Sequence, residues 1–299
     1  MRRYEARALG RGSGSPGRAS WLRLALLGAI AIGLALAACQ HQPSAAPGGL
    51  YAPCDVDSQL PLRGYEVVAT LPHDPAAYTQ GLLLHEGVLY ESTGLYGRSS
   101  LRRLERASGR ELARVELPAR LFGEGLALVQ DRLYQLSWRE GEVRFYSLED
   151  LRLLTTLRIA GEGWGLEYDG HSLIQTDGSA ELIFRHPDDL AELRRLPVRA
   201  NGQPVAGLNE LELVDGWLLA NVYPTDCVAV IDPGSGLVAA WLDLHPLAAA
   251  LRRRAPGAEV SNGIAYDAAS GHLLVTGKRW PQIYEIRLSG WPPAAPDRP

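Results

Sequence analysis

The stretch QGLLLHEGVLYESTG (residues 80–94) predicts two short β-strands joined by a tight turn, because two apolar runs flank a Glu-Gly pair. The same pattern returns four times, as EGLALVQDRLYQLSW (124–138), WGLEYDGHSLIQTDG (164–178), NELELVDGWLLANVY (209–223) and NGIAYDAASGHLLVTG (262–277). Aligned on Gly81, Gly125, Gly165, Glu210 and Gly263, successive copies are 44, 40, 45 and 53 residues apart. A period of this length indicates a repeat architecture.

The strand signals around these copies predict how the repeats close. Each copy is followed by a third strand, and the first four copies by a fourth, whereas GYEVVATL (64–71) stands unpaired before the first copy. Pairing that N-terminal strand into the last repeat removes both loose edges. The sequence therefore predicts an all-β fold, a five-bladed β-propeller over residues 64–290, with a short helical insertion at HPLAAALRRRA (245–255). A β-sandwich is the rival architecture, but it leaves the period unexplained.

The two ends of the chain have the composition of targeting and linking segments. Residues 1–38 combine a basic leader with an apolar run, as in a lipoprotein-type signal peptide. The run ends in LAAC, which resembles a bacterial lipobox and predicts lipidation of Cys39; the alternatives are ordinary cleavage or retention of the segment as an anchor. Residues 39–63 are predicted to be the anchor cysteine and a flexible linker, and 291–299 a Pro-rich tail. We expect an exported protein on the periplasmic side of the bacterial cell envelope, anchored to a membrane by lipid, with Gln40 favouring the outer membrane.

Charge and cysteine content exclude some classes of function. A net charge of −4 without a basic stripe in the mature part argues against nucleic-acid binding. Cys54 and Cys227 permit a disulfide in an oxidising compartment, but two free thiols remain the alternative. Because these cysteines are far apart and only seven histidines are present, no zinc-site spacing occurs and no metal is expected. We expect a monomer.

The repeat also predicts where a site would lie. In a propeller the first strand of each blade lines the central channel, so the residues just before the aligned positions meet at one end of it. These residues are Gln80, Glu124, Trp164, Asn209 and Asn262. Residues near that end are Tyr78, Phe122, Trp138, Tyr223, Trp280 and Lys278, the only lysine of the chain. Aromatic walls around a few polar groups are typical of a ligand pocket, although the aromatics could be core and the amides could cap turns.

Several longer motifs resemble a known family. They are AYTQGLLL (77–84), LYESTGLYGRSSLR (89–102), FGEGLAL (122–128), LNELE (208–212) and VTGKRWPQIYEI (275–286). Through them the chain, from about residue 64 to 288, resembles the plant/bacterial-type glutamine cyclotransferase family. The resemblance implies a five-bladed propeller that converts the N-terminal glutamine of a peptide or protein to pyroglutamate and releases ammonia. It further implies that neither a metal nor another cofactor is needed.

The same resemblance implies roles for individual residues. Glu124 matches the catalytic carboxylate, which would carry the proton from the attacking to the leaving nitrogen. Lys278 matches the site lysine, which would stabilise the oxyanion or keep Glu124 ionised. Asn209, counted among the catalytic residues, would act together with Gln80. The two side chains would orient the α-amine and the side-chain amide of the substrate. The pocket walls would be Tyr78, Phe122, Trp138, Trp164 and Tyr223, where the last replaces a Trp of the plant members.

Two other functions are consistent with such a propeller. The carboxylates Glu162, Glu167, Asp177, Glu210 and Glu212 could supply the acid pair of a carbohydrate- or lactone-processing enzyme. A propeller without catalysis could instead serve as a binding module. Release of ammonia from a peptide that begins with glutamine separates these hypotheses from cyclisation.

Overall fold

The computed structural model of the chain describes residue 54 and residues 60–293. The predicted signal peptide (1–38), Cys39, most of the linker and residues 294–299 of the tail lie outside the described residues. In chain order the elements are β1 (Leu62–Arg63), β2 (Tyr65–Pro72), β3 (Thr79–His85), β4 (Val88–Thr93), β5 (Ser100–Glu105), β6 (Glu111–Glu116), β7 (Gly123–Val129), β8 (Arg132–Ser137), β9 (Glu142–Ser147), β10 (Leu153–Arg158), β11 (Leu166–Tyr168), β12 (Leu173–Gln175), β13 (Glu181–Arg185), β14 (Glu192–Pro197), β15 (Arg199–Ala200), β16 (Gln203–Pro204), β17 (Leu208–Val214), β18 (Trp217–Val222), β19 (Cys227–Ile231), β20 (Val238–Asp243), α1 (His245–Arg252), β21 (Ser261–Asp267), β22 (His272–Gly277) and β23 (Gln282–Leu288).

The strands form five antiparallel blades around one axis. Blade 1 is β3-β4-β5-β6, blade 2 is β7-β8-β9-β10, blade 3 is β11-β12-β13-β14, blade 4 is β17-β18-β19-β20, and blade 5 is β21-β22-β23-β2. The inner strands β3, β7, β11, β17 and β21 each contact the next, so that they enclose a central channel. The predicted five-bladed propeller is confirmed. The hairpin β15-β16 is an addition between blades 3 and 4.

The ring is closed by the N-terminal strand, as the unpaired sequence signal predicts. Strand β2 lies antiparallel to β23, with Tyr65 opposite Leu288 and Leu71 opposite Ile283. Strands β2 and β23 are therefore hydrogen-bonded within blade 5, and this pairing closes the circle of five blades. The predicted helical insertion is also present, as α1 between β20 and β21. No helix within residues 60–293 is long and apolar enough to cross a membrane.

The glycines of the repeat permit the inner strands to approach closely. A Cβ atom on Gly81 would lie 2.7 Å from the backbone nitrogen of Leu126 on the next inner strand. A Cβ on Gly125 would lie 2.5 Å from the nitrogen of Leu166, one blade further on. Since such distances are shorter than van der Waals contact, a larger residue at either position would push two blades apart.

The end of the predicted linker belongs to the fold, which corrects the boundary at residue 63. Strand β1 pairs in parallel with β20, with Leu62 opposite Trp241, and makes a fifth strand of blade 4. Just before it, Cys54 is joined to Cys227 on β19 by a disulfide, one of the two alternatives that the sequence leaves open. Asp243 lies beside the two sulfurs, but sulfurs in a disulfide are not thiolate ligands, so this group is not a candidate metal site.

Candidate active site

Side chains from three blades meet through Gln80 at one end of the channel. The Gln80 amide nitrogen donates to Glu124 Oε1 at 3.0 Å, which links the start of β3 to the start of β7. The Gln80 amide oxygen accepts hydrogen bonds from Lys278 Nζ and, at 3.2 Å, from Asn262 Nδ2. The acid of blade 2 and the only lysine of the chain, in blade 5, therefore lie on the same side of the molecule, one amide apart.

Burial shifts the pKa values of Glu124 and Lys278 towards each other. Glu124 is 4% exposed, and its Oε2 is buried without a hydrogen-bond partner among the described residues. Burial raises the pKa of Glu124 well above its usual value, a shift that Lys278 opposes. Burial also lowers the pKa of Lys278 to about 8, although Glu124 acts in the opposite direction. Burial therefore makes the Glu124 carboxylate a stronger base and the Lys278 ammonium a stronger acid than the same groups in water.

The Lys278 ammonium lies between two aromatic rings. Its Nζ is 4.8 Å from the ring centroid of Tyr78 and 5.9 Å from that of Tyr223. An ammonium over an aromatic face is stabilised by the ring quadrupole, which partly replaces the lost hydration of this buried charge. Burial and the nearby Glu259 raise the pKa of Tyr78, so this ring remains a neutral phenol beside the lysine.

The predicted wall residues pack on one another in two groups. Tyr78 contacts Phe122 edge-on with ring centroids 6.1 Å apart, and Phe122 contacts Trp138 at 5.5 Å. Trp164 and Tyr223 form a second edge-on pair at 5.8 Å. Phe122 is buried, whereas the other four rings are partly exposed and present accessible apolar surface.

Asn209 lies at the start of β17 with an unsatisfied carbonyl group. The residue is 3% exposed, and its Oδ1 has no hydrogen-bond partner among the described residues. Its backbone oxygen is occupied, since it accepts a hydrogen bond of 2.8 Å from the Thr176 hydroxyl. A buried amide oxygen without a partner is costly unless a ligand donates to it, so Asn209 is suited to bind an N–H group.

The ESTGLYG motif (91–97) supports the site from behind, a role that the sequence did not indicate. The Ser92 hydroxyl donates to the backbone oxygen of Glu124 and accepts from Gln135 Nε2 at 2.7 Å. Gly94 has no space for a side chain, because a Cβ there would overlap the ring of Phe122. The motif therefore fixes the backbone of Glu124 and the position of Phe122.

A buried histidine joins the strand that carries Gln80 to the turn that carries Lys278. His73 Nε2 lies 3.0 Å from Glu91 Oε1, which also accepts from the Thr79 hydroxyl at 2.7 Å. His73 Nδ1 lies 2.7 Å from the backbone oxygen of Trp280. Burial lowers the pKa of His73, but Glu91 and the backbone oxygen of Trp280 raise it, and the net shift is upward. Both ring nitrogens can therefore donate, and nothing in the sequence around this single histidine indicates that role.

The carboxylates considered for a carbohydrate- or lactone-processing site serve other purposes. Glu210 accepts backbone N–H groups from Leu82 at 3.2 Å and Ile264 at 2.9 Å, and so connects three blades across the channel. Glu212 accepts the N–H of Tyr266 at 2.9 Å. Glu210 and Glu212 therefore accept hydrogen bonds from the backbone of inner strands, and these bonds stabilise the closed circle of five blades.

Channel carboxylates make the stability of the fold depend on pH. Burial raises the pKa of Glu167 to about 7, and raises those of Glu210 and Glu212 well above the usual value. A raised pKa means that the folded state binds more protons than the unfolded chain between about pH 4.5 and 7. The free energy of unfolding should therefore fall as the pH rises through that window, by about 1–3 kcal/mol for Glu167.

Glu167→Gln should reduce this pH dependence, because the amide keeps the shape of the side chain without a titrating group. Urea unfolding of the native protein and the variant between pH 5 and 8 measures the effect. Glu149→Gln, on an exposed turn, is the matched control and should keep the native slope. Equal slopes for all three proteins would show that Glu167 titrates as in the unfolded chain.

Comparisons with known proteins show which family and fold the chain shares. The family model described as glutamine cyclotransferase matches residues 31–288. A glutaminyl-peptide cyclotransferase of Arabidopsis thaliana is 40% identical over 226 residues, which cover 75% of this chain and 71% of that protein. The crystal structure of Myxococcus xanthus glutaminyl cyclase superimposes with a TM-score of 0.70 at 38% identity, over 77% of this chain and 98% of the other.

Proposed function

The chain belongs to the glutamine cyclotransferase family, and on that premise we propose that it converts the N-terminal glutamine of peptides or proteins to pyroglutamate. The α-nitrogen attacks the side-chain amide carbon, a C–N bond forms, and the carbonyl electrons move to the oxygen. The tetrahedral intermediate then expels the side-chain nitrogen, after protonation, as ammonia. The observation that supports this function best is the contact of Glu124 and Lys278 with the side-chain amide of Gln80, beside the aromatic rings of Tyr78 and Tyr223.

Positioning is the first contribution of the site. Glutamine has a flexible side chain, and cyclisation requires the α-nitrogen to lie about 3–3.5 Å from the amide carbon. Asn209 Oδ1, which lacks a partner among the described residues, can accept an N–H of the substrate, while the partly exposed rings enclose its methylene groups. Aromatic walls also exclude water, which favours attack by the α-amine over hydrolysis.

Glu124 supplies the proton transfer in this proposal. The α-amine has a pKa of about 7.7–8.0 and reacts as the free base. When it attacks, it becomes acidic and gives a proton to Glu124; the same carboxyl then protonates the leaving nitrogen. A carboxylate whose pKa is raised by burial is a stronger base, and the carboxyl group that it forms can return the proton to the leaving nitrogen.

Lys278 stabilises the charge that develops on the oxygen. The residue is 2% exposed and its ammonium donates to the Gln80 amide oxygen, so little water competes for its N–H groups. A donor in such surroundings interacts more strongly with an oxyanion than it would in bulk water. Because a single ammonium has three donors, Lys278 can bind Gln80 and an oxyanion together.

A direct assay tests the proposed activity. A peptide that begins with glutamine should yield one ammonia per molecule and a pyroglutamyl product, whereas the same peptide beginning with asparagine should react poorly because its ring would be smaller. EDTA should leave the rate unchanged, as expected for a reaction without a metal. Absence of ammonia release, or turnover of glycosides or lactones instead, would refute the proposal.

We also propose that the protein is exported and held to the membrane by a lipid on Cys39. The lipobox-like LAAC and the disulfide between Cys54 and Cys227, a bond typical of oxidising compartments, support this proposal. Fractionation of the producing cells tests it, and recovery of the protein in the cytosol would contradict it.

A further inference from the structure

Glu162 binds the two tryptophans of the pocket with one oxygen atom. Its Oε2 accepts a hydrogen bond of 2.7 Å from Trp138 Nε1 and one of 3.0 Å from Trp164 Nε1. Trp138 follows the last residue of β8 in blade 2, and Trp164 precedes β11 in blade 3. Hydrogen bonds to a carboxylate are stronger than those between neutral groups, so Glu162 couples two blades at the pocket rim.

The remaining atoms of Glu162 are also fixed. Its Oε1 lies 3.2 Å from Arg139 Nε, and the guanidinium of Arg139 stacks 3.8 Å from the ring centroid of Trp138. The backbone oxygen of Glu162 accepts a hydrogen bond of 2.8 Å from Gln175 Nε2. The carboxylate is therefore held from its backbone and from both oxygens, although the side chain is 38% exposed.

These contacts join the two aromatic groups of the pocket into a circle. Glu162 connects Trp138 at the end of one group to Trp164 at the start of the other. On the opposite side, the Lys278 ammonium lies over the rings that end both groups. In order around the channel mouth, the circle is Tyr78, Phe122, Trp138, Glu162, Trp164, Tyr223 and Lys278.

We propose that Glu162 is a positioning residue that sets the width of the pocket by holding both indoles on one oxygen; its importance for catalysis rests on the proposed function. Indoles that turn freely would leave the glutamine side chain loosely held. Effective cyclisation requires fixed walls, because small displacements of the reacting atoms are costly. Glu162 does not touch the reacting atoms in this proposal and acts only through Trp138 and Trp164.

A pair of variants separates anchoring from charge. Glu162→Ala removes the acceptor and the charge together, whereas Glu162→Gln removes the charge but keeps an oxygen that can accept both indole N–H groups. The matched control is Glu140→Gln, which also neutralises a carboxylate near Glu124 but contacts the hydroxyl of Tyr96 at 2.8 Å instead of the indoles.

The first measurement is independent of enzymatic activity. In ¹H–¹⁵N spectra of the full-length protein, the indole N–H signals of Trp138 and Trp164, assigned with Trp138→Phe and Trp164→Phe, should both move upfield in Glu162→Ala. They should stay near their native positions in Glu162→Gln and Glu140→Gln. If both indole N–H signals keep their native positions in Glu162→Ala, the proposal is overturned, because Glu162 would then not hydrogen-bond the indoles in solution.

The second measurement is the rate of cyclisation. Glu162→Ala should lower kcat/KM by about 10–100-fold, through a higher KM and a lower kcat, and Glu162→Gln should recover it to within about threefold. Equal losses in both variants would overturn the proposal, because charge and not anchoring would then matter. If the native protein forms no pyroglutamate, the proposed function fails, while the indole signals still decide whether Glu162 holds the wall.

Discussion

Glu124→Gln is expected to lower the rate of cyclisation by about 10²–10⁴-fold. The amide has nearly the shape of the carboxyl group and can still accept the hydrogen bond from Gln80 that Glu124 receives at 3.0 Å. It cannot take a proton from the attacking nitrogen, so the tetrahedral intermediate would return to substrate more often than it expels ammonia. The loss should appear in kcat, since binding of the glutamine side chain depends on the walls and Asn209.

The fold should survive this change. Glu124 is buried, and desolvation of its charged form is the largest cause of its raised pKa, so a neutral amide should keep or increase stability. Glu116→Gln, on the outer strand β6, is the matched control and should retain native activity and native thermal unfolding. Normal turnover by Glu124→Gln would show that another group carries the proton.

The fold could be predicted because its signals are local and repeated. Each inner strand begins with the same pattern, and Gly81 and Gly125 lie where neighbouring inner strands come closest. Closure by β2 could be predicted because one strand stands unpaired before the first repeat and the last repeat lacks its fourth strand. The pairing of β2 with β23 satisfies both. Strand β1 could not be predicted, because two residues have no alternation of polar and apolar side chains and their pairing partner is about 180 residues away.

The site could be predicted only in part. The contact between Gln80 and Glu124 could be predicted from the circular arrangement of the five blades, because all inner strands begin at the same end of the channel. Which side chains hold them depends on rotamers and on contacts between blades, which a single sequence does not encode locally. Ser92 behind Glu124, and Glu162 between two indoles, are contacts of this kind.

Lys278→Arg is the second substitution with a large expected effect, a loss of about 10²-fold or more although the positive charge is kept. The ammonium lies between the rings of Tyr78 and Tyr223 and donates to Gln80. Because a guanidinium is larger and planar, it cannot occupy this position without displacing a ring or the amide. It would also direct its donors in a fixed plane, away from an oxygen whose geometry changes during the reaction.

The dependence on pH tests the same residue in a second way. The pKa of Lys278 is lowered to about 8, so the native enzyme should lose the oxyanion donor and its activity as the pH rises above that value. Arginine stays protonated throughout this range, and the residual activity of Lys278→Arg should therefore show no such alkaline decline. Rates between pH 6 and 10 measure both effects, with Arg279→Lys as the neighbouring control that should behave like the native protein. Native rates in Lys278→Arg would mean that a positive charge near Gln80 is sufficient, and that the compact shape of the ammonium has no part in the reaction.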